Sequence, residues 1–246
     1  MYQDFAKVYD HLMPSEMYND WMEYTEQVVG DVSLHKVLDL GCGSGDFLQL
    51  VESTGAVTMG VDISPEMLKL AAHKVKADLY LQSMLDLTGL PTASLVTSFC
   101  DSVCYLTQPD DWLTLFQAVH DFLPNQGWFL FDVHSLGTLA NFDDFMYRDQ
   151  LEDGTDLIWE SEVVEEVNRL KVHHHLTIYQ PIETKEHEEA HFEKKKEHHI
   201  EVTYSMDQIE MMLKQAGFNQ VNVTSDFGQE VASDSSERLF FACRKG

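Results

Sequence analysis

The sequence predicts an α/β fold: a parallel sheet covered by helices on both faces, with an antiparallel β cap inserted into it. Three observations predict it. Short apolar runs alternate with helix-like segments between residues 36 and 133, the order of a parallel sheet. A glycine-rich turn, with Gly41, Gly43 and Gly45 at every second position, follows the first of those runs. Residues 156–204 then change to a two-residue alternation with little Gly or Pro.

Taken in order, residues 2–29 have helical spacing. Apolar or aromatic residues recur at Phe5, Val8, Tyr9 and Leu12, then at Tyr18, Trp21, Met22 and Tyr24, and Pro14-Ser15 breaks the run into two helices. Lys36–Leu40 reads as a strand and Asp46–Ser53 as a helix. Val57–Ile63 is the next strand. Pro65–Lys76 is a helix with Ser64 as its N-cap and Pro65 at its first position. Strands are expected at Asp78–Leu81, Ser94–Phe99 and Trp128–Val133, with a helix over Asp110–Phe122 between the last two.

In the inserted region, Leu157, Trp159, Val163 and Val167 share one parity, and Leu170, Val172, His174, Leu176 and Ile178 share another. A third segment alternates between His191 and Ile200. Charged and β-branched residues mixed in this way describe antiparallel strands with one wet face. The α/β character returns with a helix at Ser205–Ala216, capped by Ser205 and ended by Gly217. Val221–Val223 and Leu239–Cys243 are the last two strands, a hairpin pair around the loop Asp226–Ser236.

Sixteen basic residues against 42 acidic ones give a net charge of −26 in 246 residues. That balance argues against a nucleic-acid or anionic-membrane partner, both of which need clustered Lys and Arg. The one candidate patch, Lys194–Lys196, is flanked by Glu193 and Glu197. No apolar stretch reaches about 18 residues and the N-terminus has early charges, so neither a membrane span nor a signal peptide is expected. Cys42, Cys100, Cys104 and Cys243 form neither a disulfide framework nor a CxxC pair. Free thiols in a reducing cytoplasm fit them best.

The glycine turn bears on function. Glycine tolerates positive φ and has no Cβ to hold a ligand away from the backbone. A tight turn with nothing bound would use the same residues. The dinucleotide fingerprint G-x-G-x-x-G would need glycine at position 46, where the chain has Asp46. An acid in the first turn of the following helix would repel a pyrophosphate. This disfavours a nicotinamide oxidoreductase and points to a nucleoside without phosphates. Asp62, at the end of the second strand in GVDIS, can accept both hydroxyls of a ribose; a helix N-terminal charge ahead of Pro65 is the plainer role.

VLDLGCGSGDF followed by GVDIS resembles the first two motifs of the class I S-adenosylmethionine-dependent methyltransferases. The resemblance extends along the chain to the AGF turn at 216–218 and the closing strands. It implies a Rossmann-like seven-stranded sheet with its last strand antiparallel. The segments FAKVYDHLM, CDSVCYL and FDVHS are similar to a small-molecule subgroup with an antiparallel sheet inserted after the fifth strand. The implied organisation is N-terminal helices over 1–30 closing the cofactor site, a core of 31–147 and 205–246, and a cap over 148–204.

The resemblance also implies site roles. Asp39 and the Gly41 backbone would hold the methionine amino group of S-adenosyl-L-methionine. Gly43 and Gly45 would let the nucleoside approach, and Asp62 would take the ribose hydroxyls. Ile63 would lie against the adenine, and Ser83 and Met84 at its edge. The family more often has an acid where Ser83 stands. Cys100, Asp101 and Ser102 would lie beside the sulfonium. Cys104 stands where the subgroup commonly has Asn. The expected reaction is direct in-line transfer to a small-molecule acceptor by a monomer or homodimer. Positioning the nucleophile can alone supply roughly 7–11 kcal/mol of barrier reduction. Transfer to RNA or protein, or a non-catalytic cofactor-binding protein of the same fold, are the competing readings.

Four further residues have two readings each. Tyr9 is the candidate tyrosine near the methyl, or a core aromatic. Tyr18 and Trp21 can close the cofactor pocket or pack in the core. His134, just past the fifth strand, can accept a substrate proton or be an ordinary loop histidine. His173 and His175 share a strand face and allow a two-His metal site, but competing glutamates in 183–201 weaken it, so no metal is expected.

Overall fold

The computed structural model describes residues 15–182 and 191–246. The expected helix near the N-terminus, with Tyr9, and His187 of the histidine-rich segment lie outside the described residues.

Five strands run parallel at the centre: β1 (Lys36–Leu40), β2 (Val57–Asp62), β3 (Asp78–Leu81), β4 (Leu95–Ser98) and β5 (Trp128–His134), in the spatial order β3-β2-β1-β4-β5. Three more close the sheet: β10 (Gln220–Ser225), β11 (Glu230–Val231) and β12 (Arg238–Arg244). β12 lies antiparallel between β5 and β10. Among the described residues the sheet has eight strands where seven were expected, because two exposed residues in the final loop, Glu230 and Val231, pair with the edge of β10.

Each face of this sheet has its own apolar layer. On one, Leu38, Val96, Phe129, Phe131 and Phe241 meet α4 (Asp111–Phe122) and α6 (Met206–Ala216). On the other, Val37, Leu95, Leu130 and Phe240 meet α1 (Tyr18–Val29) and α2 (Asp46–Ser53). α3 (Pro65–Lys74) continues this second layer. The central strands are buried along nearly their whole length because both faces are covered. Phe131 and Phe241 stack across β5 and β12 with centroids 4.7 Å apart and planes 4° from parallel. Such pairs contribute about 0.5–1.5 kcal/mol beyond area burial.

Helix boundaries follow local chemistry. The Ser64 hydroxyl accepts from Met67 N, and Pro65 fills the first helical position. Ser205 and Gln208 form a reciprocal capping box, and Gly217 ends α6 in the left-handed region at φ 112°.

The inserted sheet has four strands in sequential order: β6 (Phe145–Gln150), β7 (Asp156–Glu166), β8 (Arg169–Ile182) and β9 (His191–Thr203). Its first strand begins before residue 148. FMYRDQ is mostly exposed on both faces, so it lacks the alternation that marks the other three. α5 (Leu136–Ala140), a five-residue helix too short to show periodicity, links β5 to the insert. Along β8 the even residues Val172, His174, Leu176 and Ile178 are buried, and on β9 the odd residues His199, Glu201 and Thr203 are buried. Register sets these faces: Val172 pairs with Glu201 and His174 with His199. Thr203 Oγ1 donates to the His134 carbonyl at 2.6 Å, tying β9 to the end of β5.

Ser205→Ala removes one half of the capping box and should destabilise the protein by about 1 kcal/mol. Urea denaturation should show a lower midpoint with an unchanged slope. An unchanged midpoint would mean that the box contributes nothing.

Candidate active site

A cavity of about 280 Å³ opens at the carboxyl ends of β1, β2 and β4 and is roofed by the inserted sheet. This is the crevice where open parallel sheets bind ligands. Its volume is at the low end of small-ligand sites, roughly 300–1,000 Å³. The glycine turn and Asp62 line one half, and side chains from the insert line the other.

The first half is built by backbone. Gly41 N and Cys42 N both donate to the Val61 carbonyl, at 2.8 and 3.0 Å, locking the turn to β2. A Cβ on Gly41 would come within 2.8 Å of Ser102, so close approach requires glycine there. At Gly43 the space where a Cβ would stand is open. Gly43 N donates to Asp62 Oδ2 at 2.9 Å, and Ser64 N donates to Oδ1 at 2.8 Å. The Asp62 carboxylate is therefore fixed in orientation, with lone pairs left on each oxygen. Burial pushes its pKa up against these backbone donors.

Ile63, Ser83, Met84, Cys100, Asp101, Ser102 and His134 also line the cavity, as do Gly41 and Gly43. Four predicted residues stand elsewhere. Asp39 is buried behind the wall, its Oδ1 accepting from Thr97 Oγ1 at 2.7 Å, and burial pushes it up to about 7. Gly45 begins α2 at φ 87°, and a Cβ there would meet Ala71 of α3 at 3.1 Å. Its missing side chain serves helix packing rather than the cavity. Tyr18 and Trp21 are core residues of α1. Trp21 packs edge-on against Phe227, and the Arg238 guanidinium lies 5.6 Å from its ring.

Asp46 accepts from Ser44 Oγ at 2.6 Å and pairs with Lys74 Nζ at 2.8 Å. The chain's own carboxylate thus occupies the first turn of α2, the position a pyrophosphate would need.

A buried ionic network forms the floor. Arg238, the first residue of β12, is the register partner of His134, the last of β5. Its Nη1 donates to both Asp101 and Asp132. Asp132 is fully buried inside the otherwise apolar run WFLFDVH. Burial pushes it up to about 6, with Arg238 opposing. Burial also acts to raise Asp101, but Arg238 and then His134 overcome this and hold it well below the usual carboxylate range. His134 Nε2 lies 3.3 Å from Asp101 Oδ2 and 3.9 Å from Glu201 Oε2. Burial would lower the imidazole, yet the Asp101 charge outweighs it and leaves the pKa raised. Cys100 and Asp101 both have positive φ, 53° and 58°. Two consecutive left-handed non-glycine residues store strain of about 1–3 kcal/mol each, held in place here by Arg238.

The second half was not legible in the sequence. Phe142 and Trp159 stack at 6.3 Å and 15°, and Leu176 and Leu106 extend this apolar wall. His174 Nδ1 accepts from Trp159 Nε1 at 3.0 Å. Burial, reinforced by His134, pushes His174 down to about 3. Glu201, 6% exposed, brings a carboxylate to the cavity. Burial pushes it up to about 7 against the attraction of His134. A charged residue within an apolar strand was the available signal for Asp132. None marked Glu201 in a segment full of glutamates.

Asp101, His134 and Glu201 each place a ligand atom within 4.8 Å of the others, a spacing a metal ion tolerates. Arg238 already neutralises Asp101 and His134 faces the same carboxylate, so two of the three are engaged within the protein itself, while Glu201 stands farther off, 3.9 Å from His134. His173 and His175 lie on the outer face, where His198 stacks 4.6 Å from His175, and neither lines the cavity.

Residues 37–127 match the family described as a methyltransferase domain. The chain is 35% identical over 251 residues to YqeM of Bacillus subtilis (strain 168), a protein named as a methyltransferase, covering 100% of this chain and 97% of that one. A Geobacillus sp. (strain WCH70) protein named in the same way is 31% identical over 253 residues, with 99% of each chain covered. Among solved structures, an S-adenosylmethionine-dependent methyltransferase from Clostridium acetobutylicum ATCC 824 superposes with a TM-score of 0.81 at 24% identity, covering 100% of this chain and 99% of that one.

Arg238→Met leaves Asp101 and Asp132 without their shared cation and should cost about 3–5 kcal/mol. The loss should be smaller at pH 5 than at pH 8. Burial holds the Asp132 pKa above its unfolded value even with Arg238 opposing, and loss of Arg238 raises it further, so protonation relieves the unpaired charge as pH falls. Thermal melts of Arg238→Met and of Arg238→Met/Asp132→Asn test this: the second substitution should recover most of the loss at pH 8. No recovery would show that the network is not the source of the cost.

Proposed function

The chain belongs to the class I S-adenosylmethionine-dependent methyltransferases, and on that footing we propose that its two-part cavity methylates a small molecule. S-adenosyl-L-methionine is the methyl donor, and when bound it supplies a methyl group already activated on a sulfonium. The residues present fit that group. The cradle above Gly43 is open, and a fixed carboxylate with spare lone pairs stands beside it.

In this reading Asp62 accepts from the ribose hydroxyls, Ile63 and Met84 flank the base, and Ser83 offers a hydroxyl to its edge. Asp39, behind Gly41, balances the amino group. Cys100, Asp101 and Ser102 border the reacting centre. Asp101 is already committed to Arg238 and His134. Its charge is therefore not free to clamp a sulfonium, which would favour the ground state over the transition state. Residues 31–147 and 205–246 form the donor-binding core, 148–204 the acceptor cap, and 1–30 the closing segment. His134 stands between the two halves as the cation paired with Asp101, which leaves it no free lone pair for the expected role of proton acceptor; the role expected of Tyr9 near the methyl falls outside the described residues.

The observation that carries the small-molecule reading is the apolar wall of Phe142, Trp159 and Leu176 beside Glu201. An RNA substrate would call for a cationic groove. The described groups here are an apolar wall, a carboxylate and cations already paired. No described helix is long and apolar enough to cross a membrane. The four cysteines are unpaired, as a reducing cytoplasm would keep them.

Incubating the protein with S-adenosyl-L-methionine and a fractionated metabolite pool should yield S-adenosylhomocysteine with a low-molecular-weight fraction and not with RNA or protein. The reverse pattern would remove the small-molecule reading. Asp62→Asn should weaken S-adenosylhomocysteine binding about tenfold or more, the worth of a charge-assisted hydrogen bond, with a stability loss of about 1–3 kcal/mol from the one backbone amide left facing an NH2. Parental affinity would return Asp62 to the role of holding the turn.

Asp39 adds a pH prediction. Its folded pKa, about 7, exceeds its usual 3.8. In the ligand-free protein its contribution to stability is therefore full below the unfolded value and lost as pH rises through about 7. A bound amino group would restore the carboxylate, so binding should release a proton. Affinity for S-adenosylhomocysteine should accordingly rise between about pH 5 and pH 7. Calorimetry in buffers of different ionisation enthalpy measures that proton, and proton-neutral binding would remove the assignment.

A further inference from the structure

We propose that Glu201 is the counter-charge for the methyl acceptor, and that the acceptor is a primary or secondary amine carried on a compact apolar body. This deepens the small-molecule reading and rests on it.

Most charges around the cavity are already paired. Arg238 donates to Asp101 and to Asp132. His134 Nε2 is closer to Asp101, at 3.3 Å, than to Glu201, at 3.9 Å. Three carboxylates therefore share two cations, and Glu201 is the one left over. Its Oε2 is buried with no hydrogen-bond partner among the described residues. Its Oε1 lies 3.9 Å from His174 Nε2, and His174 is held neutral by burial and by the charge of His134. The phenol of Tyr105, from the turn after β4, hydrogen-bonds to the carboxylate without bringing a charge, and His199, two residues away on the same strand, is engaged by Glu197 at 3.1 Å. A buried carboxylate without a full partner is costly, and a cation arriving from outside relieves that cost.

The surroundings of Glu201 describe the rest of the ligand. Phe142, Trp159 and Leu176 share the cavity with it. An apolar skeleton fits that wall, and a cation beside aromatic rings gains further attraction. The same carboxylate can prepare the amine for reaction. An ammonium gives one proton to the Glu201 carboxylate, leaving a neutral amine with a free lone pair and a carboxylic acid, with total charge unchanged. Burial raises the pKa of Glu201 in the empty cavity; an ammonium beside it acts the other way, but the buried carboxylate remains a better proton acceptor than an exposed glutamate.

Three probes of one skeleton test this: phenethylamine, 2-phenylethanol and phenylacetate, titrated by calorimetry into the full chain saturated with S-adenosylhomocysteine. The amine should bind about tenfold or more tightly than the alcohol, and the carboxylate most weakly. Glu201→Gln should abolish the preference for the amine while S-adenosylhomocysteine affinity stays the same. Equal binding of amine and alcohol, tighter binding of the anion, or a preference that survives in Glu201→Gln would each overturn the proposal. So would absence of amine binding at millimolar concentration while S-adenosylhomocysteine still binds, and that result leaves the donor site standing. Failure of the unmodified chain to bind S-adenosylhomocysteine would remove the reading beneath it as well. The comparison of probes on the unmodified chain holds even if the variant does not fold.

Discussion

Arg238 sits where three distant parts of the chain meet. It opens β12, pairs in register with His134 at the end of β5, and binds Asp101 in the loop after β4 and Asp132 inside β5. Asp132 could not remain in the middle of a central strand without it, because an unpaired buried carboxylate costs several kcal/mol. Nor would Cys100 and Asp101 hold two consecutive left-handed conformations without an anchor on the second. Inserting the last strand antiparallel beside β5 is therefore more than a way to end the sheet. It delivers the cation that fixes the floor of the active site.

Around this floor the two halves of the cavity are built by different means. The half at the strand ends uses backbone and short-range contacts: a glycine turn hydrogen-bonded to β2, and Asp62 held by the amides of Gly43 and Ser64. The half under the insert uses long side chains from a sheet whose inward face is chosen by strand register. A slip of one residue in β9 would exchange Glu201 for Ile200 or Val202 on that face. The hydrogen bond from Thr203 to the His134 carbonyl opposes such a slip at the strand's end.

This difference decides what the sequence made legible. The glycine turn, the Asp62 position and the caps at Ser64 and Ser205 depend on residues within a few positions of one another, so spacing alone marks them. Arg238 lies 137 positions from Asp101 and 106 from Asp132, and no local pattern connects them. Tyr18 and Trp21 had helical spacing, which fits core and pocket equally; the structure places them in the core. Gly45 shared the rhythm of Gly41 and Gly43, but the helix beginning there turns it toward Ala71. The short edge strand at Glu230 was missed because two exposed residues carry no alternation.

The net charge of −26 suggests an affinity for cations, yet it does not determine what this cavity binds. Most of those acids are solvated and screened within about 10 Å at ordinary salt. What acts on a ligand is the local imbalance left after Arg238 and His134 are committed. That imbalance depends on one residue of the insert, whereas the donor contacts belong to the core. In the proposed function donor binding and acceptor choice are thus separable, meeting at Asp101 and His134. An altered cap strand could redirect the acceptor without disturbing Asp62 or the glycine turn. One sheet architecture can in this way carry many acceptors.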